Sequence, residues 1–139
     1  MCSFDRNSLR LTAVAMLTVM ALAVLTACTE VTPEEQAMLA AKGYYTHLAA
    51  GECDEFIKGK AGADSLPPDY REQLTTACRQ FVDRQRQQHG GIATVKASNA
   101  RTDTLTRYTS VFLILCYGDS TAEEIVVPMV EHNGRWLMK

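Results

Sequence analysis

The chain has 139 residues, with 14 Lys or Arg against 16 Asp or Glu and a formal net charge of −2. That length holds one domain, and the near-balanced charge excludes both a broad electrostatic footprint for nucleic acid and a polybasic patch for anionic lipid. No internal repeat, low-complexity tract or charged tail interrupts it.

Residues 1–27 read as an export leader. Arg6 and Arg10 give a positive start, partly opposed by Asp5, and Leu11 to Ala27 carries no charge. Such a run is near the shortest that spans a bilayer as a helix, so a permanent transmembrane anchor is the competing reading. The flanks favour a leader: no positive cluster follows the run, and it ends in Leu25-Thr26-Ala27-Cys28. This ending resembles the lipobox of bacterial lipoproteins: an aliphatic residue, two small residues, then cysteine. The resemblance implies that the Cys28 sulfur receives a diacylglycerol and that a peptidase cuts before it. The new amine can then take a further acyl chain such as palmitate. Each buried methylene contributes about 0.8 kcal/mol, so two or three chains hold a protein on a membrane almost permanently. In enteric Gram-negative bacteria an aspartate after the cysteine retains the protein in the inner membrane. Thr29 therefore implies the outer membrane of a Gram-negative cell envelope. Residues 28–33 form the lipidated tether and residues 34–139 the folded domain.

The domain opens with helices. Thr32 can cap a helix over Pro33–Ala50, with Pro33 in the first turn and Glu34 and Glu35 where the helix dipole favours acids. Ala37, Ala41, Tyr44 and Leu48 recur at helical spacing, and Gly51 stops the run. Glu52 to Ile57 can add one turn, and Gly59 to Pro67 is a loop. Pro68–His89 is the clearest helix, opened by Pro67-Pro68 and closed by Gly90-Gly91. Its expected apolar face is Tyr70, Leu74, Ala77, Cys78 and Phe81.

After Gly91 the hydrophobic period falls to two. Ile92 to Ala100 is a polar edge strand, and Arg101 to Leu105 turns the chain. Tyr108 to Tyr117 is the strongest strand, and Gly118-Asp119-Ser120 makes the next turn. Glu124 to His132 and Arg135 to Lys139 are the third and fourth strands. Asn133-Gly134 signals a two-residue hairpin and sets His132 opposite Arg135, Glu131 opposite Trp136, Val130 opposite Leu137 and Met129 opposite Met138. The second strand is apolar on both faces, with Phe112, Ile114 and Cys116 behind Val111, Leu113 and Leu115. Helices can cover one face of such a sheet. Curvature or a homodimer across the outer sheet face would cover the other.

Helices followed by an antiparallel meander ending in Gly-x-Trp resemble the nuclear-transport-factor-2-like (cystatin-like) superfamily, and within it small bacterial lipoproteins carrying a domain of unknown function. The matching stretches are Ala41-Lys42-Gly43-Tyr44-Tyr45, Pro68-Asp69-Tyr70-Arg71-Glu72-Gln73-Leu74, His89-Gly90-Gly91-Ile92, Tyr117-Gly118-Asp119 leading to Val127-Pro128-Met129-Val130, and Asn133-Gly134-Arg135-Trp136. The resemblance implies an α+β fold, N-terminal helices on a curved four-stranded antiparallel sheet, often with a pocket at the mouth of the cone and often dimeric. Tyr44, Tyr45, Phe81 and Trp136 would sit at that mouth. The segment between the two long helices is too short for the extra hairpin of larger members, which argues against a deep pocket.

Cys53, Cys78 and Cys116 remain once Cys28 is lipidated. Two pairings are open, Cys78 with Cys116 or Cys53 with Cys78, beside a third reading of buried thiols packed as small hydrophobes. No Cys-x-x-Cys pair and no His-x-x-x-His spacing occurs, so no metal and no cofactor is expected. His47, Asp54 and Asp69 are the residues that could imitate the Asp–His constellations of enzymes in this superfamily, and their spacing gives no support to that role. Glu52, Asp54 and Glu55 read as a solvated turn. No nucleophile elbow, phosphate loop or dinucleotide fingerprint is present. The leading expectation is a non-enzymatic binding or protein-interaction module on the envelope. The alternative is a small-molecule pocket protein, catalytic or not, and a cavity of roughly 300 Å³ or more would favour it.

Overall fold

The computed structural model describes residues 30–139. The leader, the lipobox and Cys28 lie outside the described residues. Helix α1 spans Pro33–Ala50 and begins in a capping box: Glu35 N–H donates to the Thr32 hydroxyl at 3.2 Å, and Thr32 N–H donates to Glu35 Oε2 at 2.9 Å. These bonds satisfy donors that a helix start leaves free. Gly51 ends α1 at φ 77°, a left-handed conformation that costs glycine little. Helix α2 spans Cys53–Lys58, one residue later at each end than the expected turn, and the predicted loop contains a 3₁₀ turn at Ala63–Ser65.

Helix α3 spans Pro68–His89. Its buried residues are Thr75, Cys78 and Val82. Tyr70 is 49% exposed, and Ala77 is exposed too. The expected apolar face holds at Leu74, Cys78 and Phe81 and fails at Tyr70 and Ala77, with Thr75 and Val82 buried in their place. A disulfide joins Cys53 to Cys78, and the Thr75 hydroxyl donates to Asp54 Oδ1 at 3.3 Å, so both ties turn that side of α3 toward α2. The pairing of Cys78 with Cys116 does not occur. Cys116 alternates with Leu115 and Tyr117 along its strand, so it lies on the sheet face opposite the one that carries the helices.

The strands β1 (Ile92–Thr102), β2 (Thr109–Tyr117), β3 (Ala122–His132) and β4 (Arg135–Met138) form one antiparallel meander in the order β1-β2-β3-β4. The hairpin pairs are His132 with Arg135, Glu131 with Trp136, Val130 with Leu137 and Met129 with Met138. Asn133 and Gly134 take φ 50° and 75°, as a two-residue hairpin turn requires. Pro128 costs the ladder a donor only opposite Lys139, beyond the last β3–β4 pair, and its carbonyl still accepts from Lys139 N–H at 2.9 Å. Two register shifts in β1, between Ile92 and Thr94 and between Ala97 and Asn99, bend the edge strand and so curve the sheet.

The inner sheet face carries the core. Val111, Leu113, Leu115, Val127, Met129 and Met138 pack with Ala37 and Ala41, whose small side chains let α1 lie close to the sheet. Tyr44 closes the seam between α1 and β4, its hydroxyl donating to the Trp136 carbonyl at 2.8 Å. The far end of α3 is fixed by backbone: Gly118 N–H donates to Gly91 O and Asp119 N–H to His89 O, each at 2.9 Å. A Cβ on Gly118 would stand 2.8 Å from the Gly90 carbonyl oxygen, so only glycine allows this approach.

Two predictions follow from this packing. A Cβ on Gly59 would meet Tyr44 ring atoms at 2.4–2.6 Å, and the ring is held at its hydroxyl. Gly59→Ala should lower stability by about 1–3 kcal/mol in urea unfolding, the usual cost of overpacking. Removing the bridge by Cys53→Ser with Cys78→Ser frees a loop of sequence separation 25 and should cost about 3 kcal/mol.

Candidate functional site

Helix α3 leaves a gap between itself and the sheet. The gap is a cavity of about 390 Å³, within the range of small-molecule sites. Tyr45 and Leu48 reach it from α1, Phe56 and Ile57 from α2, and Leu74, Cys78 and Phe81 from α3. Leu115 and Ile125 form its sheet side. Lys60 and Glu123 are the charged side chains in the lining. The disulfide is thus part of the wall, and the α2–α3 connection that lacks a hairpin does not prevent a cavity. The space comes from how α3 is held, which the length of that connection does not report.

The structure divides the four residues expected at the mouth. Tyr45 and Phe81 line the cavity, and Tyr44 and Trp136 do not. Successive residues of a helix point about 100° apart, so Tyr44 turns to β4 while Tyr45 turns to Phe56, with ring centroids 5.4 Å apart in an edge-on contact. Burial pushes the Tyr45 hydroxyl above its ordinary pKa. Sequence reasoning missed Phe56, Leu74, Lys60 and Glu123 as lining residues. Alternation along β2 and β3 places Leu115 opposite Glu123 and Leu113 opposite Ile125, a signal that could have marked Glu123 as an inward acid.

A polar chain runs from the lining to the end of α3. The Tyr117 hydroxyl donates to Glu123 Oε2 at 2.8 Å. The Tyr117 ring lies 4.9 Å from that of His89, and His89 Nδ1 is 2.8 Å from Asp119 Oδ2. Burial, the bond to Glu123 and the nearby carboxylates push the Tyr117 hydroxyl up to about 12. The Thr121 hydroxyl, then His89 and the Thr121 amide, hold the Asp119 carboxyl down at about 2. These groups fasten the β2–β3 turn to α3. The residues weighed as an Asp–His constellation do not converge. His47 Nδ1 meets Glu52 Oε2 at 2.5 Å on the surface, Asp54 accepts from Thr75, and Asp69 lies exposed at the start of α3.

A second, shallower groove of about 460 Å³ runs between the start of α1 and β1, lined by Val31, Met38, Leu39, Lys42, Glu35 and Ala97. Val31 and Leu39 are 48% and 66% exposed. Among the described residues no helix is long and apolar enough to cross a membrane, and no group of three or more metal-ligating side chains gathers.

No protein-family model matches the chain. No curated protein matches it either. Among solved structures it is similar to the crystal structure of a "Putative NTF2-like transpeptidase" from Campylobacter jejuni, at 11% identity and a TM-score of 0.52, over 70% of this chain and 92% of that one. At that identity the likeness speaks to the backbone alone, and with the helices and curved meander described above it shows that this chain has the nuclear-transport-factor-2-like fold.

Proposed function

We propose that the chain is a lipid-anchored protein of a Gram-negative envelope, placed on the outer membrane, and that its domain is a non-enzymatic binding module for an apolar small molecule seated between α3 and the sheet. The observation that carries the ligand reading is the cavity of about 390 Å³. Its size and its aliphatic and aromatic lining match what apolar ligands require. Burial supplies the affinity, since each methylene removed from water is worth about 0.8 kcal/mol.

The lining offers no acyl-transfer apparatus. A transpeptidase of the covalent type needs a free nucleophile beside a base. The one sulfur in the cavity wall, that of Cys78, is bonded to Cys53. The description of the Campylobacter protein therefore gives no residue roles to this chain. The anchor reading rests on the charged start, the apolar run and Leu25-Thr26-Ala27-Cys28. Exposed Val31 and Leu39, close after that cysteine, suit a domain whose α1 start faces lipid.

A protein-contact reading is favoured by one separate observation. On the outer sheet face Val126 is 54% exposed, and it shares that face with Phe112, Ile114, Val130 and Leu137. A homodimer or another protein packed there would cover it.

The ligand reading is tested by filling the cavity. Leu74→Trp should abolish binding of dodecanol, followed by native mass spectrometry, while circular dichroism stays unchanged. Equal binding in the two chains would refute the site. The anchor is tested by mass spectrometry of membrane fractions: the wild-type chain should begin at Cys28 and carry a diacylglyceryl mass there, and Cys28→Ala should carry no lipid and keep its leader uncut. A wild-type chain in that fraction without the lipid mass would defeat the anchor.

A further inference from the structure

The two charged side chains of the cavity differ in what they already hold. Glu123 accepts the Tyr117 hydroxyl at 2.8 Å, so part of its acceptor capacity is used. Lys60 makes no side-chain hydrogen bond and no ion pair among the described residues, whereas nearby Lys58 bonds Glu55 at 2.6 Å. The position of Lys60 is also fixed. Met138 N–H donates to Gly59 O and Ala61 N–H donates to Met138 O, each at 2.7 Å, which pins the backbone on both sides of Lys60 to β4. Its stem is half-buried at the cavity while its ammonium keeps three donors to offer.

An apolar cavity lined by a lysine that holds no side-chain partner among the described residues favours an anion. From this, and resting on the cavity reading above, we infer that the ligand is a single-chain anionic amphiphile, with its hydrocarbon chain among Phe56, Leu74, Phe81, Leu115 and Ile125 and its anionic head on Lys60. Glu123 opposes an anion as Lys60 opposes a cation, but a cationic head would also have to compete with the Tyr117 hydroxyl for Glu123, whereas Lys60 has no competing partner among the described residues. A neutral head would leave the ammonium unpaired beside apolar surface. The carboxylate of a fatty acid and the phosphate of a single-chain lipid share the required charge.

Native mass spectrometry of the full-length chain with four C12 probes distinguishes these cases: dodecanoate, dodecyl phosphate, dodecanol and dodecylamine. Either anion should bind about tenfold more tightly than the alcohol, the scale of one charge-assisted hydrogen bond, and dodecylamine should bind most weakly. The tighter of the two anions names the head group. Lys60→Met keeps the stem and should erase the anion preference, so that neither anion binds more tightly than dodecanol. Equal affinity of anions and alcohol in the wild-type chain, or an anion preference that survives Lys60→Met, overturns the head-group inference and leaves the cavity standing. Failure of all four probes to bind overturns both.

Discussion

Helix α3 is 22 residues long and buries three side chains, Thr75, Cys78 and Val82. Full burial of a valine contributes roughly 1.5–3 kcal/mol, while ordering backbone costs about 1–2 kcal/mol per residue. Burial of this face cannot by itself dock the helix. The Cys53–Cys78 bond holds it to α2, and the contact of Gly90 and Gly91 with Gly118 holds its other end to the β2–β3 turn. These ties, with those of Thr75 to Asp54 and Arg71 to the Ala63 carbonyl, hold the helix beside the cavity that Leu74, Cys78 and Phe81 line.

The same restraint explains which parts of the molecule were legible in the sequence. Local signals carry local structure. Thr32 with Glu35, Gly51, Gly90-Gly91 and Asn133-Gly134 each act within a few residues, and the elements they bound lie where those signals put them. The α+β order and the antiparallel meander were legible for the same reason, because a change of hydrophobic period from helical to alternating is written along the chain. The rotation of α3 was not. Leu74, Cys78 and Phe81 of its expected face turn inward, while Tyr70 and Ala77 at the edge of that face stay exposed and the bond from Cys78 to Cys53 sets the rotation. Disulfide pairing depends on tertiary approach, which spacing does not encode. The split between Tyr44 and Tyr45 has a similar origin: adjacent aromatic residues on a helix serve two neighbours, and only the packed sheet says which one each meets.

The site was legible in part. Aromatic residues on α1 and α3 pointed to the space between those helices and the sheet, and Tyr45 and Phe81 do line it. Lys60 was hidden because its placement comes from two backbone bonds to Met138, a residue 78 positions away in the sequence. Trp136, the most conspicuous aromatic residue of the last strand, instead sends its indole N–H toward Gln36 at 3.4 Å and gives its carbonyl to Tyr44. It belongs to the seam that fixes α1, and so to the scaffold of the cavity and not to its lining.

Fold and site therefore carry separate information here. The nuclear-transport-factor-2-like backbone is shared with a Campylobacter protein at 11% identity, and one backbone supports many functions. The cavity of this chain is furnished with a sulfur bridge in the wall, an acid held by a buried tyrosine, and a lysine with no side-chain partner among the described residues. The bridge suits the oxidising compartment that the proposed export implies. It also removes the most nucleophilic atom from the lining. An amphiphile would complete such a gap without any bond being made or broken, its chain replacing water against Phe56 and Phe81 and its head satisfying Lys60.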